Sequence, residues 1–251
     1  ARRVPAAREG DDATVTLLVP SATLRGGSGD TLLRVSRVQL ADGGGQALRW
    51  SGNLLTGGDL PRINARVEQA PDGGLELVGS MVPWRVGDSS LAVPRLTLAQ
   101  AGNGIWRFGG LVQASGALPG GSARNLQVPL DGTWSRRGGL AMWRGCTQLR
   151  FDTLAYANLS LDRRRLTLCP PRGRTILRLP TGGALQLAAG APALQLTGRL
   201  GATPIAIDSG PVGFAWPGTL TARAVSVALG PPDTATRFVL NDLTARLGQE
   251  L

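Results

Sequence analysis

The side chains that carry covalent and acid-base chemistry are nearly missing from this sequence. Among its 251 residues there is no histidine, and all 27 basic residues are arginines. A lysine Schiff base, a phosphate-loop lysine and an imidazole base are therefore excluded. The two cysteines, Cys146 and Cys169, form no Cys-x-x-Cys pair and have no histidine to join them, which argues against a zinc site or a thioredoxin-like redox centre. Carboxylates remain, and Glu68, Glu76, Asp152, Asp162 and Asp208 fall on or near strand-like segments. Their spacing selects no pair for glycosidase-type work, and a solvated strand face is their expected place. The glycine clusters lack the strand, Gly-x-Gly-x-x-Gly and helix setting of a phosphate cradle, so they read as turns. No catalytic residue, metal ligand or cofactor is assigned, and no enzymatic activity is expected.

The formal charge is +10. A basic chain can attract nucleic acid, acidic lipid head groups or nothing in particular. The six Trp, four Phe and single Tyr are dispersed and match no reader motif, so no nucleic-acid partner is expected. The one tight run, Arg163-Arg164-Arg165, lies between Leu159/Leu161 and Leu166/Leu168. It reads as a solvated hairpin turn or as a contact for lipid phosphates. Cys146 and Cys169 stand 23 positions apart with two or three short strand-like runs between them. A hairpin would join them, and a disulfide there would add about 3 kcal/mol and imply an oxidising compartment. Two buried free thiols are the other reading.

Any site must be positioned by strands, because Gly or Pro interrupts nearly every window long enough for a helix. Short alternating runs recur, such as Ile63/Ala65/Val67, Leu126/Val128, Leu194/Leu196 and Ile205/Ile207. Turn chemistry separates them at Asp42-Gly43-Gly44-Gly45, Gly57-Gly58-Asp59, Pro71-Asp72-Gly73-Gly74, Gly102-Asn103-Gly104, Pro119-Gly120-Gly121, Arg137-Gly138-Gly139 and Thr181-Gly182-Gly183. A finer pattern sets apolar residues at offsets 0, 2, 5 and 7. It occurs at Leu33/Val35/Val38/Leu40, Leu91/Val93/Leu96/Leu98, Leu149/Phe151/Leu154/Tyr156, Leu220/Ala222/Val225/Val227 and Phe238/Leu240/Leu243/Ala245. The step of three flips the strand's parity, so both halves face one interior only if a bulge or sharp bend falls at the intervening pair. The fold class is all-β, a strongly curved antiparallel sheet, with a β-sandwich as the alternative. The organisation expected is a leader over 1–12 and one continuous unit over 13–251, with any sub-boundary near 136–139. No run approaches the roughly 18 apolar residues that span a bilayer, and the chain reads as a segment of a longer protein.

Several segments carry a family resemblance. They are Gly57-Gly58-Asp59-Leu60-Pro61, Leu91-Ala92-Val93-Pro94, Gly116-Ala117-Leu118-Pro119-Gly120-Gly121, Trp143-Arg144-Gly145-Cys146, Leu166-Thr167-Leu168-Cys169-Pro170-Pro171-Arg172-Gly173, Thr197-Gly198-Arg199-Leu200-Gly201 and Thr236-Arg237-Phe238. Together they resemble the YdbH branch of the AsmA-like proteins, in patches over about residues 15 to 248. The resemblance implies an elongated β-groove with an apolar floor, in a periplasmic protein tethered to the inner membrane elsewhere in its chain. It further implies phospholipid transport between inner and outer membranes without catalysis, and a Cys146–Cys169 disulfide. Phospholipids, both membranes and envelope proteins are the partners it suggests. On this view Leu33, Val35, Val38, Leu40, Leu91, Val93, Leu96, Leu98, Leu149, Phe151, Leu154, Leu220, Val225, Val227, Phe238 and Leu240 are candidates for the groove. Arg163, Arg164 and Arg165 are candidates for head groups. The functional alternative is a structural component of a cell-envelope secretion machine, similar to the type II secretion N protein.

Overall fold

The structure, a computed structural model, describes residues 15–42, 49–70, 72–118 and 120–247. The expected leader over 1–12 and the Gly43-Gly44-Gly45 turn lie outside these residues. Every regular element among them is a strand, and all eighteen belong to one antiparallel sheet. Among the described residues no helix is long and apolar enough to cross a membrane. The first eight strands form a meander: β1 Val15–Arg25, β2 Thr31–Asp42, β3 Arg49–Thr56, β4 Ile63–Gln69, β5 Leu75–Val86, β6 Ser89–Gln100, β7 Trp106–Leu118 and β8 Gly121–Ser135. Each sequence-predicted turn within the described residues falls between two of them or further along the chain. Arg136–Gly138, for instance, joins β8 to β9 inside the same sheet.

Beyond β8 the ladder divides. The second half of β8 pairs with β9 (Gly139–Met142), and its first half pairs with β10 (Thr147–Tyr156). One branch runs from β9 through β12 (Leu177–Leu179), β13 (Gln186–Ala191) and β16 (Val212–Trp216). The other runs from β10 through β11 (Leu159–Leu168), β14 (Leu194–Leu200) and β15 (Thr203–Ser209). Both rejoin on β17 (Gly218–Leu229), which pairs with β18 (Thr236–Leu247). Short strands thus lie end to end in four split rows between the long rows. With strands about 4.8 Å apart, the fourteen rows extend roughly 60 Å along the hydrogen-bonding direction. Among the described residues β1 pairs only with β2, and β18 only with β17, so the sheet is open.

The kinks expected from the 0/2/5/7 pattern are present, in two forms. In β2 and β6 they are bulges, with register shifts between Ser36 and Gln39 and between Ala92 and Arg95. Between β17 and β18 no extra residue is needed, because register is constant from Gly218↔Leu247 to Leu229↔Thr236. Instead Ala224 takes a left-handed φ of 49°, and the Ala224/Asn241 step drops out of the ladder. Ala222 and Val225, three apart, are both 7% exposed, while Arg223 and Ala224 between them are exposed. The parity therefore flips without a register slip. Both partners bend at the same step, which preserves the pairing on either side.

Packing is thin. Among the described residues no large side chain is fully buried, and five of the nine buried apolar residues are alanines (Ala65, Ala92, Ala123, Ala191 and Ala222). Phe151 at 3% is the largest of the nine. Such a core is what a single layer allows, since no second sheet or helix among the described residues stacks against it.

Candidate functional site

Residues directly opposite in an antiparallel ladder share a face, so the registers assign sides across the whole sheet. Leu33, Val35, Val38 and Leu40 lie opposite Leu24, Ala22, Val19 and Leu17 of β1. Leu40 is assigned by backbone register. The same face continues through Trp50 and Leu54 on β3, Ala65 and Val67 on β4, and Leu77, Gly79 and Met81 on β5. Leu91, Val93, Leu96 and Leu98 pair with Trp84, Met81, Gly79 and Leu77. Onward, Leu98 meets Phe108, and Val112 meets Val128. Leu154 lies across from Ala123 on one side and Leu161 on the other. Leu149 faces Leu166, while Leu220, Val225 and Val227 face Ala245, Leu240 and Phe238. With Phe151 two residues from Leu149 on the same strand, fifteen of the sixteen groove candidates are brought to one face of the sheet, and the backbone register places Leu40 in the same series.

The opposite face carries nearly all the charges of the described strands. Arg66 pairs with Glu68 there, Arg163 Nε stands 2.8 Å from Asp152 Oδ1, and Arg223 Nε stands 3.6 Å from Asp242 Oδ1. The apolar face is only partly shielded. Phe151, Leu161, Ala222 and Val225 are buried, whereas Leu91, Phe238 and Leu240 are 38%, 51% and 45% exposed. One local concavity of about 200 Å³ lies where the β5–β6 and β7–β8 turns meet, lined by Trp84, Val86, Leu91, Ala114, Leu118 and Ala123.

Tryptophan follows a pattern that composition could not resolve. Trp50, Trp84, Trp106, Trp134 and Trp216 all lie on the apolar face, Trp106 directly across from Trp134 and Trp216 across from Leu187. Each lies within three residues of a strand end. Because neighbouring strands alternate direction, Trp50, Trp106, Trp134 and Trp216 line up along one rim of the sheet, and Trp84 along the other. An indole suits such a boundary between apolar surface and water. The sixth, Trp143, is half-buried and donates from Nε1 to the Pro129 carbonyl at 2.8 Å.

Cys146 and Cys169 form a disulfide at the open end of the β10–β11 hairpin. Cys169 also exchanges two 2.8 Å backbone hydrogen bonds with Gly190, tying the end of β11 to β13. The arginine run does not form the hairpin turn that its flanks suggested. Ala157-Asn158 makes that turn, and Arg163, Arg164 and Arg165 lie inside β11. The two Leu-x-Leu units are halves of one kinked strand, so the polar residues between them mark its bend.

Sequence reasoning missed two features. Leu17/Val19/Ala22/Leu24 on β1 is another 0/2/5/7 series, legible from spacing, though Pro20 at its centre reads as a strand breaker. Pairing identifies the kink, since Pro20 would meet the left-handed Arg37 of β2. The parting of β11 from β14 beyond Leu161↔Gly198 carries no local signal except Pro192 on the facing row.

No curated protein and no solved structure matches the chain. A family model described as YdbH-like, intermembrane phospholipid transport protein YdbH, matches residues 11–250. A periodic apolar face carried from one end of a single open β-sheet to the other, and a match spanning nearly the whole sequence, lead to one assignment: the chain belongs to the YdbH-like family.

Proposed function

We propose that this chain moves phospholipids between membranes without catalysis, by holding acyl chains on the apolar face of its sheet while head groups stay in water. The observation that carries this reading is the sidedness of the sheet. One face presents Leu, Val, Ile, Ala and aromatic side chains over fourteen rows, and the other presents the ion pairs. Each methylene removed from water contributes about 0.8 kcal/mol, so such a face holds a hydrocarbon chain anywhere along it. Near-equal affinity at successive rows favours sliding, because no deep pocket traps the cargo. Bends at aligned positions support a concave apolar side, since bulges and kinks curl sheets. The burial of Phe151 and Leu161 with no second layer above them among the described residues supports it as well. The family description supports intermembrane phospholipid transport in general. A periplasmic location with an inner-membrane tether elsewhere, and contacts with both membranes, follow from that role, and the disulfide fits an oxidising compartment.

The test is photo-cross-linking in cells labelled with radioactive phosphate, in the full-length protein. A photoreactive residue replaces Val93, Leu96, Leu149 or Val225, with Arg95 and Asp152 as controls. Labelled lipid at the four apolar positions and none at the controls is the expected result. Folded, disulfide-bonded protein that captures no lipid at any of the four would overturn the reading.

A further inference from the structure

Arg164 is the one charged residue, away from strand ends, that the registers assign to the apolar face of the described strands. It lies directly opposite Phe151, a residue only 3% exposed. An isolated guanidinium on such a face needs a partner. Protein groups supply little of one. Arg164 Nη2 donates to Thr197 Oγ1 at 3.3 Å, and its Nε is buried without a hydrogen-bond partner.

The backbone around it is equally unusual. β11 and β14 are paired over Leu159–Leu161, and the next tie is the Cys169–Gly190 bridge. The register is the same at both ends, so Asp162–Leu168 and Ala191–Thr197 bow apart over seven residues each. The cause is a misalignment of kinks. β11 bends at Asp162-Arg163, which this register sets opposite Leu196-Thr197, while the facing row breaks at Pro192-Ala193. Kinks that coincide between β17 and β18 are here out of step, and the ladder parts between its two ties.

The opening has a volume of about 560 Å³ and is lined by Arg163–Thr167 and Pro192–Gln195. Its surroundings are cationic. Arg163 is engaged by Asp152 at 2.8 Å, but Arg165 faces Arg150 directly across the β10–β11 ladder, a like-charge pair that repels unless an anion lies near. By alternation from Cys169, the N–H groups of Arg165 and Thr167 turn into the opening. Pro192 on the far side has no N–H with which to close it.

We propose that the opening between β11 and β14 binds a phosphate group, with the Arg164 guanidinium as the central donor and the β11 amides of Arg165 and Thr167 beside it. A guanidinium offers a forked donor set matched to phosphate oxygens. Two sources share that chemistry, a lipid head group and free phosphate. The lipid source rests on the transport reading above, because its acyl chains would lie on the adjoining apolar face. The site itself does not rest on it.

Calorimetric titration of the oxidised full-length protein tests this, with inorganic phosphate, dihexanoyl phosphatidylglycerol and phosphate-free dihexanoylglycerol as separate ligands. At least one phosphate-bearing ligand binds. Arg164→Gln weakens it tenfold or more, Arg164→Lys restores part of the loss, and Arg237→Gln on the polar face of β18 changes nothing. Tighter binding of phosphatidylglycerol than of inorganic phosphate identifies the head group as the source, and equal binding identifies free phosphate. Wild-type affinity in a folded Arg164→Gln protein, or no binding of either phosphate-bearing ligand, overturns the site. Cross-linking at Leu149 and Val225 with Arg164 intact, set beside the Arg164→Gln titration, separates the two readings. Lipid captured there while titration shows no dependence on Arg164 defeats the site alone. No capture, with phosphate binding still dependent on Arg164, defeats transport and leaves a free-phosphate site.

Discussion

At the residue scale, a single-layer sheet makes burial scarce and each buried side chain correspondingly important. Phe151 is the largest of the buried apolar residues, so Phe151→Ala should lower stability by about 3 kcal/mol, read from the urea midpoint. Leu240, 45% exposed on the same face, should cost less than about 1 kcal/mol when changed to Ala. Equal losses at the two would contradict the burial difference between them. The disulfide acts on the unfolded chain. Replacing Cys146 and Cys169 together by Ser should remove about 3 kcal/mol of stability in the same assay. Cysteine count and spacing made this bond expected, but its second task was not legible. It anchors β11 beside the Gly190 bridge, and that neighbour comes from a residue 21 positions further along the chain.

At the element scale, the kinks decide what faces where. Ala224 has a φ of 49°, a conformation that costs an L residue about 1 kcal/mol and glycine almost nothing. Ala224→Gly should therefore be neutral or stabilising, by up to about 1 kcal/mol. Ala224→Val should destabilise by more than that, since β-branched side chains fit this region worst. Thermal or urea unfolding of the two variants decides the matter, and the opposite order would mean that the bend is not held at this residue. Gly198 is needed for a different reason, close approach. A Cβ there would run into the Ser160 carbonyl oxygen, in the ladder that closes one end of the β11–β14 opening. Gly198→Val should cost about 2 kcal/mol and raise amide exchange at Leu159–Leu161 more than at Leu220–Ala222. The 0/2/5/7 spacing announced that strands bend. It could not tell a bulge in one strand from a joint bend in two, because that depends on where the partner bends.

At the scale of the whole molecule, a conduit made of rows in series fails wherever one row fails. Val35→Asp, Leu96→Asp and Val227→Asp, on distant rows of the apolar face, should each abolish lipid transfer in cells. Thr97→Asp and Ser226→Arg, beside two of them on the polar face, should leave it intact, the new arginine facing Asp208 across the ladder. Resistance to protease confirms that each variant folds. Graded effects by position, or loss from both faces, would argue against a one-sided path. Much of this architecture was written in the sequence. Alternating Leu and Val fixed strands, Gly-rich quartets fixed turns, the recurrent step of three fixed bends, and the missing His and Lys removed most catalysis from consideration. These are local properties, set by backbone sterics and side-chain period. Only the tertiary structure decided that the bends of β17 and β18 coincide, that those of β11 and the facing β13–β14 row do not, that Arg164 sits alone on an apolar face, and that four tryptophans share one rim. Each of those depends on which strands become neighbours and in what register. Long-range pairing sets both, and a chain read one window at a time does not contain it.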